Sequence, residues 1–280
     1  MIVYDLSVYK NKANIMVKDH LNGHISHGKY NAITYASSKE LGERERLCRI
    51  FSDTFETETI PHMELMDNLG LFISRRNMSR ILWIHELYKK IIEVHGVIIE
   101  FGVRWGQNLA LFESFRGIYE PFNWNRKIVG FDTFEGFMSL DKKDGSGEIM
   151  KEGSYDVLSG YEHILEQILD HYESESPMPH IRNYELVKGD ATVTAKQYFS
   201  DNPHTIVALA YFDFDIYKPT YECLKIISEH VTKGSIIAFD ELNHKDFPGE
   251  TLALKEIFGL NKYAIKRVPY NPQTSYLIVE

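Results

Sequence analysis

Three acidic residues follow short apolar runs of the kind that form buried strands, and two glycines follow the first of them. Glu100 and Asp132 end two of these runs, and Asp190 comes after a third. Gly102 and Gly106 let the backbone turn sharply and approach a ligand, and the helix predicted behind them presents free N–H groups. We therefore expect this end of the chain to bind a small molecule.

The acid at the end of the first run favours a cationic ligand over a dinucleotide. A dinucleotide fingerprint requires G-x-G-x-x-G, which this loop does not have. Glu100 would repel a pyrophosphate, whereas S-adenosylmethionine carries an amino group and a sulfonium and no phosphate. Asp132, one βα unit later, is placed to accept hydrogen bonds from a ribose diol. Asp190 could bind an adenine amino group, although an ordinary Gly-Asp turn is the alternative.

A second acidic group follows the next two apolar runs. Asp213 and Asp215 end one run, and Asp240 and Glu241 end the other. Because adjacent parallel strands end side by side, we expect Asp213, Asp240 and Glu241 to converge. Carboxylates this close repel one another unless a cation or shared protons neutralise them, and Mg²⁺ suits an all-oxygen site. A surface acid is the alternative for Glu241.

The chemistry expected at this edge is transfer of the sulfonium methyl group to a hydroxyl. An alcohol is a poor nucleophile, and a metal bound to it would lower its pKa and orient it. Asp215 and His244 are candidate bases, because each lies within a few residues of a predicted metal ligand. Tyr217 could pack on a sugar ring, or it could pack within the protein.

The elements that must position these residues alternate between apolar runs and amphipathic stretches. This alternation predicts an α/β, Rossmann-like fold with a mostly parallel, seven-stranded sheet covered on both faces. Only six residues separate the last two runs, too few for a crossover helix, so we expect an antiparallel pair at the edge. The predicted strands are residues 97–101, 127–131, 184–187, 206–212, 235–239, 263–268 and 275–279.

Helical periodicity dominates the chain before the first strand. Apolar residues recur at helical spacing over residues 81–95, and Gly96 is expected to end that helix. We predict an N-terminal extension and helical cap over residues 1–95 and a cofactor-binding domain over residues 96–280. The long stretch 138–182 indicates an insertion that acts as a lid or as decoration.

The composition excludes several classes of protein. The chain has 280 residues, is 44% hydrophobic, and carries 31 basic against 40 acidic residues, a formal charge of −9. We expect a globular protein that does not bind nucleic acid, because the clustered basic residues that neutralise phosphates are missing. No apolar run approaches the roughly 20 residues of a membrane helix, and the N-terminus does not resemble a signal peptide, so a cytoplasmic location is expected.

Two other sets of potential ligands are interpreted as structural. Cys48 and Cys223 share no short spacing, and both are expected to be buried thiols. His20, His24 and His27 have the spacing of metal ligands on a helix, but nearby glycines disfavour a helix, so we expect a loop.

The motifs around these acids resemble the macrocin O-methyltransferase (TylF-type) family of class I methyltransferases. The resemblance covers roughly residue 75 to the C-terminus and implies a Rossmann-like methyltransferase fold that uses S-adenosylmethionine. Members of this family act largely on sugar hydroxyls of natural products and sugar conjugates. The segments that carry the resemblance are Glu100-Phe-Gly-Val with Gly106, Gly130-Phe-Asp-Thr-Phe-Glu-Gly-Phe137, Asp213-Phe-Asp-Ile-Tyr217 and Pro248-Gly249.

The resemblance also implies site residues. In this family an Asp from the fourth strand and an acidic pair from the fifth hold Mg²⁺, which corresponds to Asp213, Asp240 and Glu241. The sequence departs from the family in having Phe214 between the two fourth-strand acids and Glu241 in place of an Asp. The longer Glu would reach an ion differently. The residues expected to hold the cofactor are Glu100, Phe101, Gly102, Gly106, Asn108, Asp132, Thr133, Asp190 and Ala191.

The expected function is therefore O-methylation of a sugar, a sugar nucleotide or a glycosylated natural product, by a homodimer or higher homo-oligomer. Three alternatives stay open. An N-methyltransferase of an amino sugar would need no metal activation. A nicotinamide-dependent sugar oxidoreductase could use the same sheet, and a non-catalytic member of the family could bind the cofactor as a scaffold.

Overall fold

The computed structural model describes residues 38–147 and 149–280. Contacts divide the chain into two compact units, Met1–Arg44 and Glu45–Glu280, and all strands of the described residues belong to the second. In the described residues no helix is long and apolar enough to cross a membrane. The sequence predictions for His20, His24 and His27 lie outside the described residues.

The strands of the described residues form one seven-stranded sheet in the order β3-β2-β1-β4-β5-β7-β6. The first five in this order pair in parallel, and β7 pairs antiparallel with both β5 and β6. The predicted fold class is therefore confirmed, including the antiparallel edge. The strands are β1 (Val97–Phe101), β2 (Ile128–Asp132), β3 (Tyr184–Lys188), β4 (Val207–Phe212), β5 (Val231–Phe239), β6 (Lys266–Val268) and β7 (Asn271–Ile278).

Helices cover both faces of the sheet. One apolar core lies between the sheet and α3, α4 and α5, and a second lies between the sheet and α6, α7 and α8. A 3₁₀ turn at Leu69–Phe72 precedes α3. The helices are α1 (Ser38–Glu56), α2 (His62–Asp67), α3 (Arg75–Ile91), α4 (Gln107–Tyr119), α5 (Tyr161–Ser174), α6 (Ala191–Asp201), α7 (Tyr217–Ile227) and α8 (Gly249–Ile257).

Strand register aligns the ends of four neighbouring strands through a row of phenylalanines. Phe101 pairs with Phe131 and Phe212, and Phe212 pairs with Phe239. The rings of neighbouring residues stack at centroid distances of 5.2, 4.8 and 5.3 Å, and all four are fully buried. Because each phenylalanine is at or next to the end of its strand, the acidic residues that follow emerge along one line at the carboxyl edge of the sheet.

Helix α3 begins and ends earlier in the chain than the predicted stretch 81–95, and it belongs to the core. It ends at Ile91 rather than His95. The guanidinium of buried Arg126 donates to the carbonyls of Ile91, Val94 and Gly96, which gives hydrogen-bond partners to backbone carbonyls at and after the end of the helix.

The prediction for the cysteines was half wrong. Cys223 is buried on α7, but Cys48 is exposed. Cys48 lies on α1, where the neighbouring residues Glu45, Arg46, Arg49 and Ile50 are also exposed, so this part of the helix does not bury the thiol.

Candidate active site

The two glycines after β1 adopt backbone conformations that side chains disfavour. Gly102 has φ = +94° and Gly106 has φ = +76°. A Cβ on Gly102 would lie 2.1 Å from the carbonyl oxygen of Asp213, and one on Gly106 would lie 2.3 Å from Leu165 Cδ1. The glycines thus give both the sharp turn that was predicted and a close approach to β4 and α5.

Asp132 holds this glycine loop in place. Its Oδ2 accepts the backbone N–H groups of Val103 at 2.6 Å and Arg104 at 2.8 Å, and its Oδ1 accepts that of Phe134 at 2.6 Å. A carboxylate has about four lone-pair sites, so three backbone bonds leave room for a further donor on Oδ1. The contact with a ribose diol stays a prediction, and fixing the loop is an additional role.

Glu100 lies on the α3–α4 side of the sheet and is buried at 1% exposure. Asn108, in the first turn of α4, donates to its Oε1 at 2.7 Å, whereas its buried Oε2 has no hydrogen-bond partner. Burial, and then the charge of Asp213, raise the pKa of Glu100 well above its ordinary value. An acceptor of this kind is suited to a cationic donor group, since an unsatisfied buried polar atom is costly.

The remaining predicted cofactor residues have clear packing or turn contacts. Asp190 accepts the N–H of Thr192 at 2.9 Å and caps α6, as the turn alternative expected. Thr133 donates to the carbonyl of Gly136 at 2.9 Å. The side chains of Phe101 and Ala191 are buried in the core. Contacts of these residues with a cofactor stay predictions.

A cation from α3 bridges two of the predicted metal ligands. Arg80 Nη2 donates to Asp213 Oδ2 at 2.7 Å, and Nη1 donates to Asp240 Oδ1 at 2.9 Å. Its Nε donates to Asn108 Oδ1 at 3.2 Å. Tyr211 also donates to Asp240 Oδ1, at 2.7 Å. Asp213 and Asp240 therefore converge as predicted, with a guanidinium between them.

Three further acids surround this pair. Buried Glu250, at the start of α8, accepts the N–H of Phe214 through Oε1 and that of Glu241 through Oε2, both at 3.3 Å. Burial raises the pKa of Asp215 to about 7. Burial and the charges of Asp215 and Asp240 raise the pKa of Glu241 to about 11.

The candidate bases differ in their surroundings. Asp215 is buried, has φ = +62°, and lies close enough to Glu241 for a hydrogen bond. The His244 ring lies 5.1 Å from that of Phe247, and its Nδ1 accepts the N–H of Asp246 at 3.3 Å. Asp215 lies within the acidic cluster beside Glu241, and burial raises its pKa to about 7, a value suited to a base at neutral pH.

Tyr217 packs within the protein. Its hydroxyl donates to Glu256 at 2.7 Å, and the Lys143 ammonium lies 3.9 Å from the ring centroid. Its backbone N–H donates to Asp144 Oδ1 at 2.6 Å, so the segment after residue 138 is attached to the start of α7. The packing alternative therefore accounts for Tyr217, and its contact with a substrate stays a prediction.

The same inserted segment reaches the acidic cluster. Phe137 donates its backbone N–H to Ser154 O at 3.0 Å, and a Cβ on Gly136 would lie 2.2 Å from that oxygen. Next to it, the ring of Tyr155 lies 4.7 Å from the Arg104 guanidinium. Burial, and then the charges of Asp215 and Glu241, raise the pKa of the Tyr155 hydroxyl. Tyr155 of the inserted segment thus contacts Arg104 of the glycine loop, and a lid role stays a prediction.

Neither a protein-family model nor a curated protein matches the chain. Solved structures do. The crystal structure of CalS11, a calicheamicin methyltransferase, is 39% identical and covers 88% of this chain and 94% of its own, with a TM-score of 0.84. An apo structure of CalS11, named there as a TDP-rhamnose 3'-O-methyltransferase of calicheamicin biosynthesis, is 37% identical over 88% and 96%, with a TM-score of 0.77.

The chain belongs to this family of S-adenosylmethionine-dependent methyltransferases. The family and enzyme class predicted from the sequence are thereby confirmed. The O-methyltransferase NovP, 16% identical over 71% of this chain and 79% of its own with a TM-score of 0.53, shares the fold.

The site of the methyltransferase suits its cofactor in one specific respect. The open Oε2 of Glu100 is a buried acceptor beside the glycine loop, and S-adenosylmethionine has an ammonium donor. Asp132 retains acceptor capacity on the same loop. When bound, the cofactor supplies the activated methyl group, and these two acids are the residues that would orient it.

Sequence reasoning missed Arg80, Tyr211 and Glu250 in the methyltransferase. A pattern for Arg80 was available: it precedes Ile84 and Leu87 at helical spacing, and both are fully buried. A basic residue on the buried face of a helix needs an acidic partner. Tyr211 and Glu250 lie in a strand and in a first helical turn, where the same residue types often have only structural roles.

Proposed function

We propose that this methyltransferase O-methylates a sugar hydroxyl, most specifically on a deoxysugar nucleotide of the TDP-rhamnose class. The supporting observation is the relationship to CalS11, at 39% identity over 88% of the chain. The acceptor named for that relative is TDP-rhamnose. The proposal includes a cytoplasmic location and a homo-oligomeric state.

The chemistry proposed is an in-line displacement. The acceptor oxygen attacks the methyl carbon, the S–CH₃ bond breaks, and the O–CH₃ bond forms, leaving S-adenosylhomocysteine. The hydroxyl proton passes to Asp215, whose carboxylate lies within the acidic cluster and has a pKa of about 7. The inserted segment around Tyr155 would exclude water from the reacting atoms.

Magnesium assistance is part of the proposal. Asp213, Asp240 and Glu241 would hold the ion, and a bound ion would lower the pKa of the acceptor hydroxyl. The donor set is all oxygen, and Glu241 Oε2 is buried without a hydrogen-bond partner. In the conformation described, however, Arg80 bonds two of these acids, and no group of three potential ligands among the described residues is arranged around a common point.

The proposal is tested by incubating the full chain with S-adenosylmethionine and a panel of nucleotide sugars. The panel contains TDP-rhamnose, its C2 and C3 deoxy analogues, and a TDP-amino sugar, and products are followed by mass spectrometry and NMR. We expect a methyl ether and one equivalent of S-adenosylhomocysteine with a hydroxyl acceptor. Methylation of the amino sugar alone would contradict O-methylation.

Asp215→Asn is the matched variant for this assay. We expect it to bind S-adenosylhomocysteine as the wild type does and to lose turnover by roughly 10²–10⁴-fold, the usual contribution of a general base. A His244→Asn variant with the same loss, beside an active Asp215→Asn, would instead assign the base to His244.

A further inference from the structure

Arg80 is a basic side chain that donates hydrogen bonds to two of the predicted metal ligands, Asp213 and Asp240. It reaches them from α3, a helix before the first strand, and each terminal nitrogen bonds a different carboxylate. A guanidinium presents its donors in a planar fork, so one Arg can satisfy two acids on neighbouring strands. The positive charge and the geometric bridge that a divalent ion would provide are thus already present.

The position is accessible from solvent. The side chains of Arg80, Asp213 and Asp240 are 29%, 25% and 15% exposed. An ion could therefore reach the two carboxylates if the guanidinium moved outward. A fully buried Arg would instead be a permanent part of the core.

The guanidinium also connects the acids to the cofactor residues. Its Nε bonds Asn108 Oδ1 at 3.2 Å, and Asn108 in turn bonds Glu100 at 2.7 Å. If the Arg80 side chain moved away from the two acids, it would lose both carboxylate hydrogen bonds and its bond to Asn108. Residues on both sides of the cation thus favour the bridged state when no ion is bound.

We propose that Arg80 is an exchangeable counter-ion, which neutralises Asp213 and Asp240 in the metal-free enzyme and must leave when a divalent cation binds. This inference rests on the proposed metal role. Arg80 is then a positioning residue, and the residue at this position of α3 determines how tightly the two acids bind a divalent ion.

The exchange is tested by titrating the full chain with Mn²⁺ alone and following the free-ion EPR signal, with no acceptor or turnover involved. We expect Arg80→Met to bind Mn²⁺ at least tenfold more tightly than the wild type. Arg80→Lys, which keeps the charge but not the fork, should fall between them. Arg75→Met removes an exposed charge from the first turn of the same helix and should match the wild type.

The shift in Tm on addition of Mn²⁺ is a second readout, which keeps the test valid if a variant is less stable. Without metal, Arg80→Met leaves Asp213 and Asp240 without their cationic partner, so Mn²⁺ should raise its Tm by more than it raises that of the wild type or of Arg75→Met. Equal Mn²⁺ affinities in the wild type, Arg80→Lys and Arg80→Met would overturn the exchange. Absence of Mn²⁺ binding in all variants would overturn it together with the magnesium proposal, while the methyl-transfer assay remains an independent test.

Discussion

Asn108 donates to Glu100 Oε1 at 2.7 Å, and this bond leaves Oε2 as the open acceptor of a carboxylate that is 1% exposed. The pair joins the first turn of α4 to the strand that precedes the glycine loop. Asn108 also accepts from Arg80, so its amide is held from both sides and cannot easily rotate away. The open oxygen therefore keeps a fixed direction as long as Arg80 bonds Asn108.

Glu100→Gln should weaken S-adenosylhomocysteine binding by roughly 10- to 100-fold, because a hydrogen bond to a charged group contributes about 1.5–3 kcal/mol. The amide preserves the shape of the side chain but removes its charge. Isothermal titration calorimetry measures the change. Glu93→Gln, at an exposed position after α3, is the control, and equal affinities for the two variants would contradict the role of Glu100.

Asp190 allows capping and ligand binding to be separated. Asp190→Ser keeps a side-chain acceptor for the Thr192 N–H and should leave Tm near that of the wild type, whereas Asp190→Ala should cost about 1 kcal/mol. If the carboxylate also binds adenine, both variants should lose affinity for S-adenosylhomocysteine. Wild-type affinity in Asp190→Ser would reduce the role of Asp190 to capping.

The strand ends were predictable because hydrophobic runs and acidic residues are both local patterns. The phenylalanine row that aligns β1, β2, β4 and β5 gives the physical reason, since each Phe lies at or next to the residue where its strand stops. The acids after those strands could therefore be assigned to one edge without knowledge of any long-range contact.

The partners of those acids were not predictable in the same way. Arg80 is separated from Asp240 by 160 positions, and only the packing of α3 on the sheet brings them together. Tyr217 shows the same limit. Its position after the fourth strand left a substrate contact and internal packing as alternatives, and the partners of its hydroxyl and its ring, Glu256 and Lys143, are both distant in sequence. The packing of helices on the sheet determines such contacts, and the hydrophobic periodicity of the sequence does not show which side chains that packing brings together.

Gly102→Ala should be far more damaging than an alanine at another positive-φ glycine. Its Cβ would lie 2.1 Å from the carbonyl oxygen of Asp213, whereas a Cβ on Gly153, at φ = +76°, meets nothing within 4 Å. Both variants carry backbone strain of about 1–3 kcal/mol, and Gly102→Ala adds a clash with the backbone of Asp213, directly after β4, that costs roughly a further 1–3 kcal/mol. Urea unfolding measures the free energy of unfolding of both variants. Equal losses would show that the close approach of Gly102 to the Asp213 carbonyl does not contribute to stability.

Glu113 should make the stability of the protein depend on pH. Its carboxyl is 2% exposed, Oε1 has no hydrogen-bond partner, and burial raises its pKa from an ordinary 4.5 to about 7 despite the bond from Arg116. Between these values the folded state binds more protons than the unfolded state, so the contribution of Glu113 to stability is full below about pH 4.5 and is lost as pH rises through 7. The difference corresponds to roughly 3 kcal/mol.

Glu113→Gln removes this titration while keeping the shape of the side chain. We expect the free energy of unfolding of the variant, relative to the wild type, to rise by up to roughly 3 kcal/mol between pH 5 and pH 8. A weaker bond to Arg116 would lower the free energy of unfolding of the variant by a constant amount. It would shift the plot of this free energy against pH without changing its slope, so the slope reports the titration of the buried Glu113 carboxyl. Glu93→Gln should show no such slope, and a flat difference for Glu113→Gln would mean that Glu113 stays ionised beside Arg116 across this range.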